Sequence, residues 1–249
     1  ALPGKQAGGD PLAPKTLRGR MGVRAVSARA NRTEDNLPIV YDGPHQLFKV
    51  PGMGPYDNNG YVLADPRTKE AYLVDAPAQI ERLLDEARDF RVKGVIVTHT
   101  HPDHVAGYAD LKRLSDLLVA VHADDEPRLP GKPDLRLAHG DELTIGTTRI
   151  RVIHTPGHTP GGLCLYVDGT LVSGDTLFPG GPGRTNSAGD FGQLVASITT
   201  HLYALPDGTL VLPGHGSDTT IANSKSEYAI FAAKQHAADL HDHVSWLDS

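Results

Sequence analysis

Residues 95–104 read Val-Ile-Val-Thr-His-Thr-His-Pro-Asp-His. Val95, Ile96 and Val97 form a β-branched run that suits a strand buried on both faces. Four candidate metal ligands follow: His99, His101, Asp103 and His104. Polar groups at the rim of an apolar core need partners, and one metal ion can satisfy several imidazoles and a carboxylate together. If strand geometry persists past Thr98, His99 and His101 project to the same side and can share a cation. Pro102 ends such a run. Asp103 and His104 then fall on the turn beyond it and can aim at a second point nearby. A lone His in this place would read as a surface loop residue; the HxHxDH cluster reads as metal-binding.

Three more strand ends carry the same design. Ile153 leads into His154-Thr-Pro-Gly-His158-Thr-Pro-Gly-Gly, Val172 into Ser173-Gly-Asp175-Thr-Leu-Phe, and Leu212 into Pro213-Gly-His215-Gly. Each joins an apolar run, a Gly or Pro turn and a His or Asp. A single such loop would be a turn or a cap. Four of them, each offering a nitrogen or oxygen ligand at a strand end, point to one site.

The elements that must position these residues follow from periodicity. Short strands are expected at 46–50, 60–64 and 71–74, separated by turn signals. Pro77 stands where a helix could begin, and Ile80, Leu83, Leu84 and Ala87 continue at helical spacing. A strand at 94–97 feeds the histidine cluster, a helix is expected over 105–118, and a strand over 118–121. The second half reads as a hairpin of 142–145 with 148–153 and another of 163–167 with 170–172, turned at Asp168-Gly169. A helix at 191–205, a strand at 209–212 and a final helix at 226–240 follow. Each half places strands first and helices later, and two such halves packed face to face make an α/β fold of four αββα layers.

Composition narrows the alternatives. A length of 249 residues allows a sizeable core, and 39% apolar with 22% charged residues suits a globular chain. The net charge is −6, with no basic footprint for a nucleic-acid partner. No stretch is long and apolar enough to span a membrane. The one Cys excludes an intrachain disulfide and fits a reducing compartment, so a cytoplasmic location is expected. That residue, Cys164, falls in an expected strand and reads as core, not ligand. Residues 1–36, rich in Gly, Pro, Arg and Ala, read as a flexible or extended N-terminal arm ahead of a single domain at 37–249.

The motifs at 98–104, 155–161, 173–178 and 212–216 together resemble those of the metallo-β-lactamase fold superfamily. The run from Asp175-Thr-Leu-Phe to Gly183-Arg184-Thr185 is similar to the glyoxalase II-like (hydroxyacylglutathione hydrolase-like) branch. The resemblance implies that His99, His101 and His158 hold one metal, that Asp103, His104 and His215 hold a second, and that Asp175 bridges them. It implies two divalent ions, Zn first, with Fe and Mn also suited to imidazole and carboxylate ligands. True β-lactamases of the fold commonly carry Cys or Ser at the bridging position, so Asp175 argues against antibiotic hydrolysis as the native role. Glyoxalase II has a helical C-terminal domain that helps bind glutathione; residues 216–249 provide for one or two helices.

The activity implied is hydrolysis, with a hydroxide shared by the two metals attacking a thioester, ester or lactone carbonyl of a small-molecule substrate. Asp103 would orient the nucleophile or accept its proton. Arg184 is a candidate contact for an anionic substrate, or a structural donor in a Gly-rich loop. Tyr56, Asn58 and Asn59 are candidates to border the site. His45, His122, His139, His154 and His201 are weaker ones, and His236, His241 and His243 read as an exposed helix face. The alternative is a mononuclear iron sulfur (persulfide) dioxygenase using His99, His158 and Asp175. A homo-oligomer stays open.

Overall fold

The computed structural model describes residues 39–248. The proposed arm at 1–36 lies outside the described residues, as does the boundary at residue 37.

Seven strands form the first sheet in chain order: β1 (Ile39–Asp42), β2 (Gln46–Met53), β3 (Asn58–Ala64), β4 (Glu70–Val74), β5 (Arg91–Ile96), β6 (Val119–His122) and β7 (Leu135–Leu137). Pairing is antiparallel from β1 to β4 and parallel from β4 to β7. The parallel connections carry α1 (Ile80–Glu86) and α2 (Tyr108–Leu114). The second half contains β8 (Glu142–Ile145), β9 (Thr148–His154), β10 (Leu163–Val167), β11 (Thr170–Gly174), the small pair β12 (Leu177–Phe178) and β13 (Gly181–Pro182), α3 (Ala188–Ser197), β14 (Leu210–Pro213), β15 (Thr219–Thr220) and α4 (Ile221–Ala232). Its six-stranded sheet has the order β15-β14-β11-β10-β9-β8.

Side-chain alternation explains the layering, because successive residues on a strand face opposite sides. On β4, Ala71 and Leu73 pack with α1 and α2, while Tyr72 and Val74 face the second sheet. On β10, Leu163, Leu165 and Val167 meet the first sheet, while Cys164 turns outward to α3 and α4. The result is three separate apolar clusters: helices on sheet, sheet on sheet, and sheet on helices. Three cores in series make a four-layer αββα sandwich. No helix among the described residues is long and apolar enough to cross a membrane.

Several boundaries differ from the periodicity. α1 starts at Ile80, because Gln79 is left-handed (φ 61°) and separates Pro77 from the helix. The helix expected over 105–118 is split into a 3-10 turn, Pro102–Val105, and α2. The split falls at Ala106-Gly107; a Cβ on Gly107 would overlap the Pro77 carbonyl, so α2 is pressed against the segment before α1. α3 begins at Ala188 because the Ser187 side chain caps it, accepting from Asp190 N at 3.1 Å, and it widens into a π turn at Ile198–Leu202. The last helix is 221–232 rather than 226–240. Thr220 caps its start, and the chain leaves helical geometry after Ala233. His236, His241 and His243 therefore lie in the irregular segment beyond α4, with His236 stacked on Phe231 at 3.8 Å.

Candidate metal centre

The candidate ligands meet at the rim where the two sheets open. β5 ends at Ile96, so His99 and His101 leave from a loop and not from an extended strand. Their rings still meet edge to face at 4.8 Å. His158 lies between β9 and β10, Asp175 directly after β11, and His215 after β14. The rim is laced by backbone bonds: Leu163 N donates to Thr98 O at 2.8 Å, and Asn59 N to Gly214 O at 2.7 Å.

Three overlapping groups of ligand atoms result: His99 with His101 and His158, Asp103 with His104 and His215, and His99 with His104 and Asp175. His99 and His158 Nε2 stand 3.3 Å apart, and His104 and His215 Nε2 3.2 Å apart. Asp175 lies between the pairs, with Oδ2 3.5 Å from both His158 and His215 Nε2 and Oδ1 3.3 Å from His104 Nε2. Gly214 makes room for this, since a Cβ there would overlap Asp175 Oδ1 and the His104 ring.

The hydrogen bonds behind the rings fix which nitrogen faces the centre. His158 Nδ1 donates to Arg184 O at 2.8 Å and His215 Nδ1 to Tyr56 O at 2.8 Å. His104 Nδ1 donates to Asp75 Oδ2 at 2.8 Å. Thr98 Oγ1 donates to the Asp75 carboxylate and accepts from His99 Nδ1 at 3.2 Å. Each ring is thereby left with an Nε2 lone pair directed at the others. Facing lone pairs beside carboxylates require positive charge, supplied by protons or by metal ions. The titration directions agree. Burial disfavours charge on His104, but Asp175 and Asp75 outweigh it and hold that imidazole well above its usual range. Burial likewise opposes charge on His215, yet Asp103 and Asp175 raise it to about 10. Burial and the neighbouring His104 push His99 well down; burial and His158 bring His101 to about 4. Despite burial, both Asp103 and Asp175 are held well below the carboxylate range by their histidines. Asp175 Oδ1 is buried and, with His104 Nε2 3.3 Å away, makes no hydrogen bond of normal geometry among the described residues. An orphaned carboxylate oxygen among imidazole lone pairs fits a divalent cation.

The supporting residues were not evident from the motifs. Asp75 follows β4 and backs both His104 and, through Thr98, His99. The signal was an Asp directly after an apolar strand, the same design as Asp175. Asp125 accepts from Thr100 N and Gly161 N, each at 2.8 Å, and ties the loops bearing His101 and His158. Of the residues expected at the border, Asn58 donates to Asp103 Oδ2 at 2.7 Å, and Asn59 to Pro213 O at 3.0 Å. Arg184 contributes its carbonyl to His158, while its Nε bonds Asp242 at 2.6 Å. Elsewhere, His122, Asp124 and His154 form a separate group whose two rings stack at 3.9 Å. His139 and His201 meet at 4.6 Å, and His45 is buried against Tyr41. Cys164 is core, its thiol pushed up to about 11 by burial.

The model of the metallo-beta-lactamase superfamily matches residues 53–215, which contain all seven candidate ligands. The chain belongs to this superfamily. Within it, the chain is of the hydroxyacylglutathione hydrolase-like branch. It is 36% identical over 166 residues to a hydroxyacylglutathione hydrolase of Polaromonas sp. (strain JS666), covering 64% of this chain and 62% of that protein. The chain thus spans less than two thirds of that relative's length. Among solved structures it resembles ETHE1 from Myxococcus xanthus, with a TM-score of 0.66, 29% identity, and 76% and 85% of the two chains covered. It also resembles BLEG-1 B3 metallo-beta-lactamase, with a TM-score of 0.65, 29% identity, and 72% and 96% covered. This metallo-beta-lactamase superfamily member carries a hydrolase-like, metal-binding type of site.

Proposed function

We propose that the chain is a metal-dependent hydrolase of a thioester, ester or lactone, with two divalent cations, Zn first. His99, His101 and His158 hold one cation, Asp103, His104 and His215 the other, and Asp175 lies between. The observation that carries this reading is the buried Asp175 carboxylate set among the Nε2 atoms of His99, His104, His158 and His215, with its Oδ1 making no hydrogen bond among the described residues. When bound, such a pair supplies a water nucleophile that ionises near neutral pH and polarises the acyl carbonyl. The name of the Polaromonas relative supports a thioester.

The chain's own residues do the positioning. Asp103 is the catalytic residue: Asn58 fixes its Oδ2, and the neighbouring His215 and His104 keep its carboxyl ionised, an acceptor able to orient the attacking water. Asp75 and Thr98 hold His104 and His99 from behind, and the Arg184 and Tyr56 carbonyls do the same for His158 and His215. The Arg184 guanidinium is tied to Asp242 through Nε, so a substrate contact there would fall to its Nη groups.

Metal analysis of untagged protein, purified without added metal, should find about two divalent ions per chain. That protein should hydrolyse members of a thioester, ester and lactone panel. A β-lactam belongs in the panel because of the likeness to BLEG-1. Asp175→Ala and His101→Ala should lose metal and activity together; full activity in either would sink the dinuclear assignment. A second reading rests on His99, His158 and Asp175, whose ligand atoms lie within 3.9 Å of one another and could hold a single iron. About one Fe per chain, with oxygen uptake on a persulfide, would move the assignment to a sulfur dioxygenase.

A further inference from the structure

A cleft of about 660 Å³ opens beside the metal centre, with His101 in its wall. That volume suits a small organic ligand. Pro102, Val105, Tyr108 and Pro130 make most of the lining apolar. The cation in the lining is Arg128, which ends the short turn Glu126–Arg128 and is exposed. Among the described residues, no carboxylate pairs with its guanidinium. The adjacent Glu126 is engaged by Arg136, with Nη2 2.6 Å from Oε1. Lys112, over the Tyr108 ring, is itself held by Leu117 O at 2.8 Å and Asp134 at 3.5 Å. Arg184 at the opposite loop is bound to Asp242. Arg128 thus places on the apolar cleft a guanidinium that no carboxylate among the described residues neutralises.

We infer that this cleft binds one arm of the substrate, an apolar chain ending in a carboxylate that Arg128 receives. The inference rests on the hydrolase reading for its use in catalysis, but not for the binding itself. An apolar wall favours the methylene stem by removing it from water. A guanidinium at its margin matches a carboxylate with two parallel hydrogen bonds. The carboxylate can belong to the acyl side or to the leaving-group side of the scissile bond, and the substrates used to test it separate the two.

Matched thioesters are compared on metal-loaded protein: hexanoyl against 5-carboxypentanoyl N-acetylcysteamine for the acyl side, and acetyl hexanethiol against acetyl 6-mercaptohexanoate for the leaving side. The carboxylated member of one pair should have a kcat/KM at least about tenfold higher, through KM. Arg128→Gln should abolish that preference; Arg128→Lys should restore part of it. Equal preference in wild type and Arg128→Gln overturns the inference, as does absence of preference in both pairs. If no thioester is hydrolysed, the hydrolase reading fails while the binding claim is still decided. Adipate should then bind by calorimetry roughly tenfold more weakly to Arg128→Gln than to wild type. Equal adipate binding, or none to either protein, overturns it. Arg128 is exposed, so the variant should keep the wild-type fold.

Discussion

Asp75 sits at the end of β4 with a left-handed backbone, φ 63°, and commits both carboxylate oxygens to Thr98 and His104. It touches no candidate substrate position, yet two of the five candidate ligand rings, His99 and His104, depend on it. Partners that orient metal-bound imidazoles typically contribute 10–100-fold to affinity. Asp75→Asn should therefore weaken metal binding by about 10- to 100-fold, read by competition with a chelating dye. Wild-type affinity in that variant would remove Asp75 from the positioning role. His45 illustrates a histidine of the opposite kind. Its Nε2 meets Thr170 Oγ1 at 3.0 Å and its Nδ1 is buried without a partner. Burial, only partly offset by Asp168, lowers it from 6.5 to about 4. The folded protein thus resists a proton that the unfolded chain accepts below pH 6.5. Stability from this group is complete above that pH and falls as pH drops toward 4, by at most about 3 kcal/mol. A His45 NMR titration should show a midpoint near 4; a midpoint near 6.5 would contradict the buried, neutral state.

At the scale of elements, the site is a set of strand ends held in register by loop-to-loop bonds. Asp125 is the clearest example, since it accepts from Thr100 N on one side and Gly161 N on the other. Asp125→Ala would leave two buried N–H donors unpaired, at a cost of about 1–3 kcal/mol each. Urea denaturation should register that loss, and metal titration should show the His99, His101 and His158 group weakened more than the Asp103, His104 and His215 group. Equal weakening of both would mean that Asp125 supports the fold generally. The helices show where local periodicity stops being informative. α4 was expected five residues later than it begins, because Thr220 supplies an N-cap that apolar spacing does not mark. β7, β12, β13 and β15 are two or three residues long, too short to leave a pattern.

Across the whole molecule, the last residues close the third core. Trp246 is fully buried and meets Tyr228 at 5.2 Å and Tyr203 at 6.3 Å, covering the outer face of the second sheet. Trp246→Ala should cost about 3–5 kcal/mol, a large part of the stability of a domain this size. A urea midpoint unchanged from wild type would show that the C-terminal segment is a loose cover. The same segment brings Asp242 to Arg184, so the chain's end also decides which rim cation is neutralised.

The amino-acid sequence by itself determined the candidate ligands and their strand-end placement, because residue type and spacing are local properties of the chain. It also determined the hairpin at Asp168-Gly169 and the strand alternation that sorts Cys164 from its neighbours, for the same reason. Tertiary structure alone decided that Asp75 stands behind His104, 29 residues away, and that Asp125 joins two loops. It alone left Arg128 without a carboxylate partner among the described residues while pairing Arg184 across 58 residues. Those contacts arise from packing between distant elements, and a buried carboxylate or a paired guanidinium has no local period by which to be read.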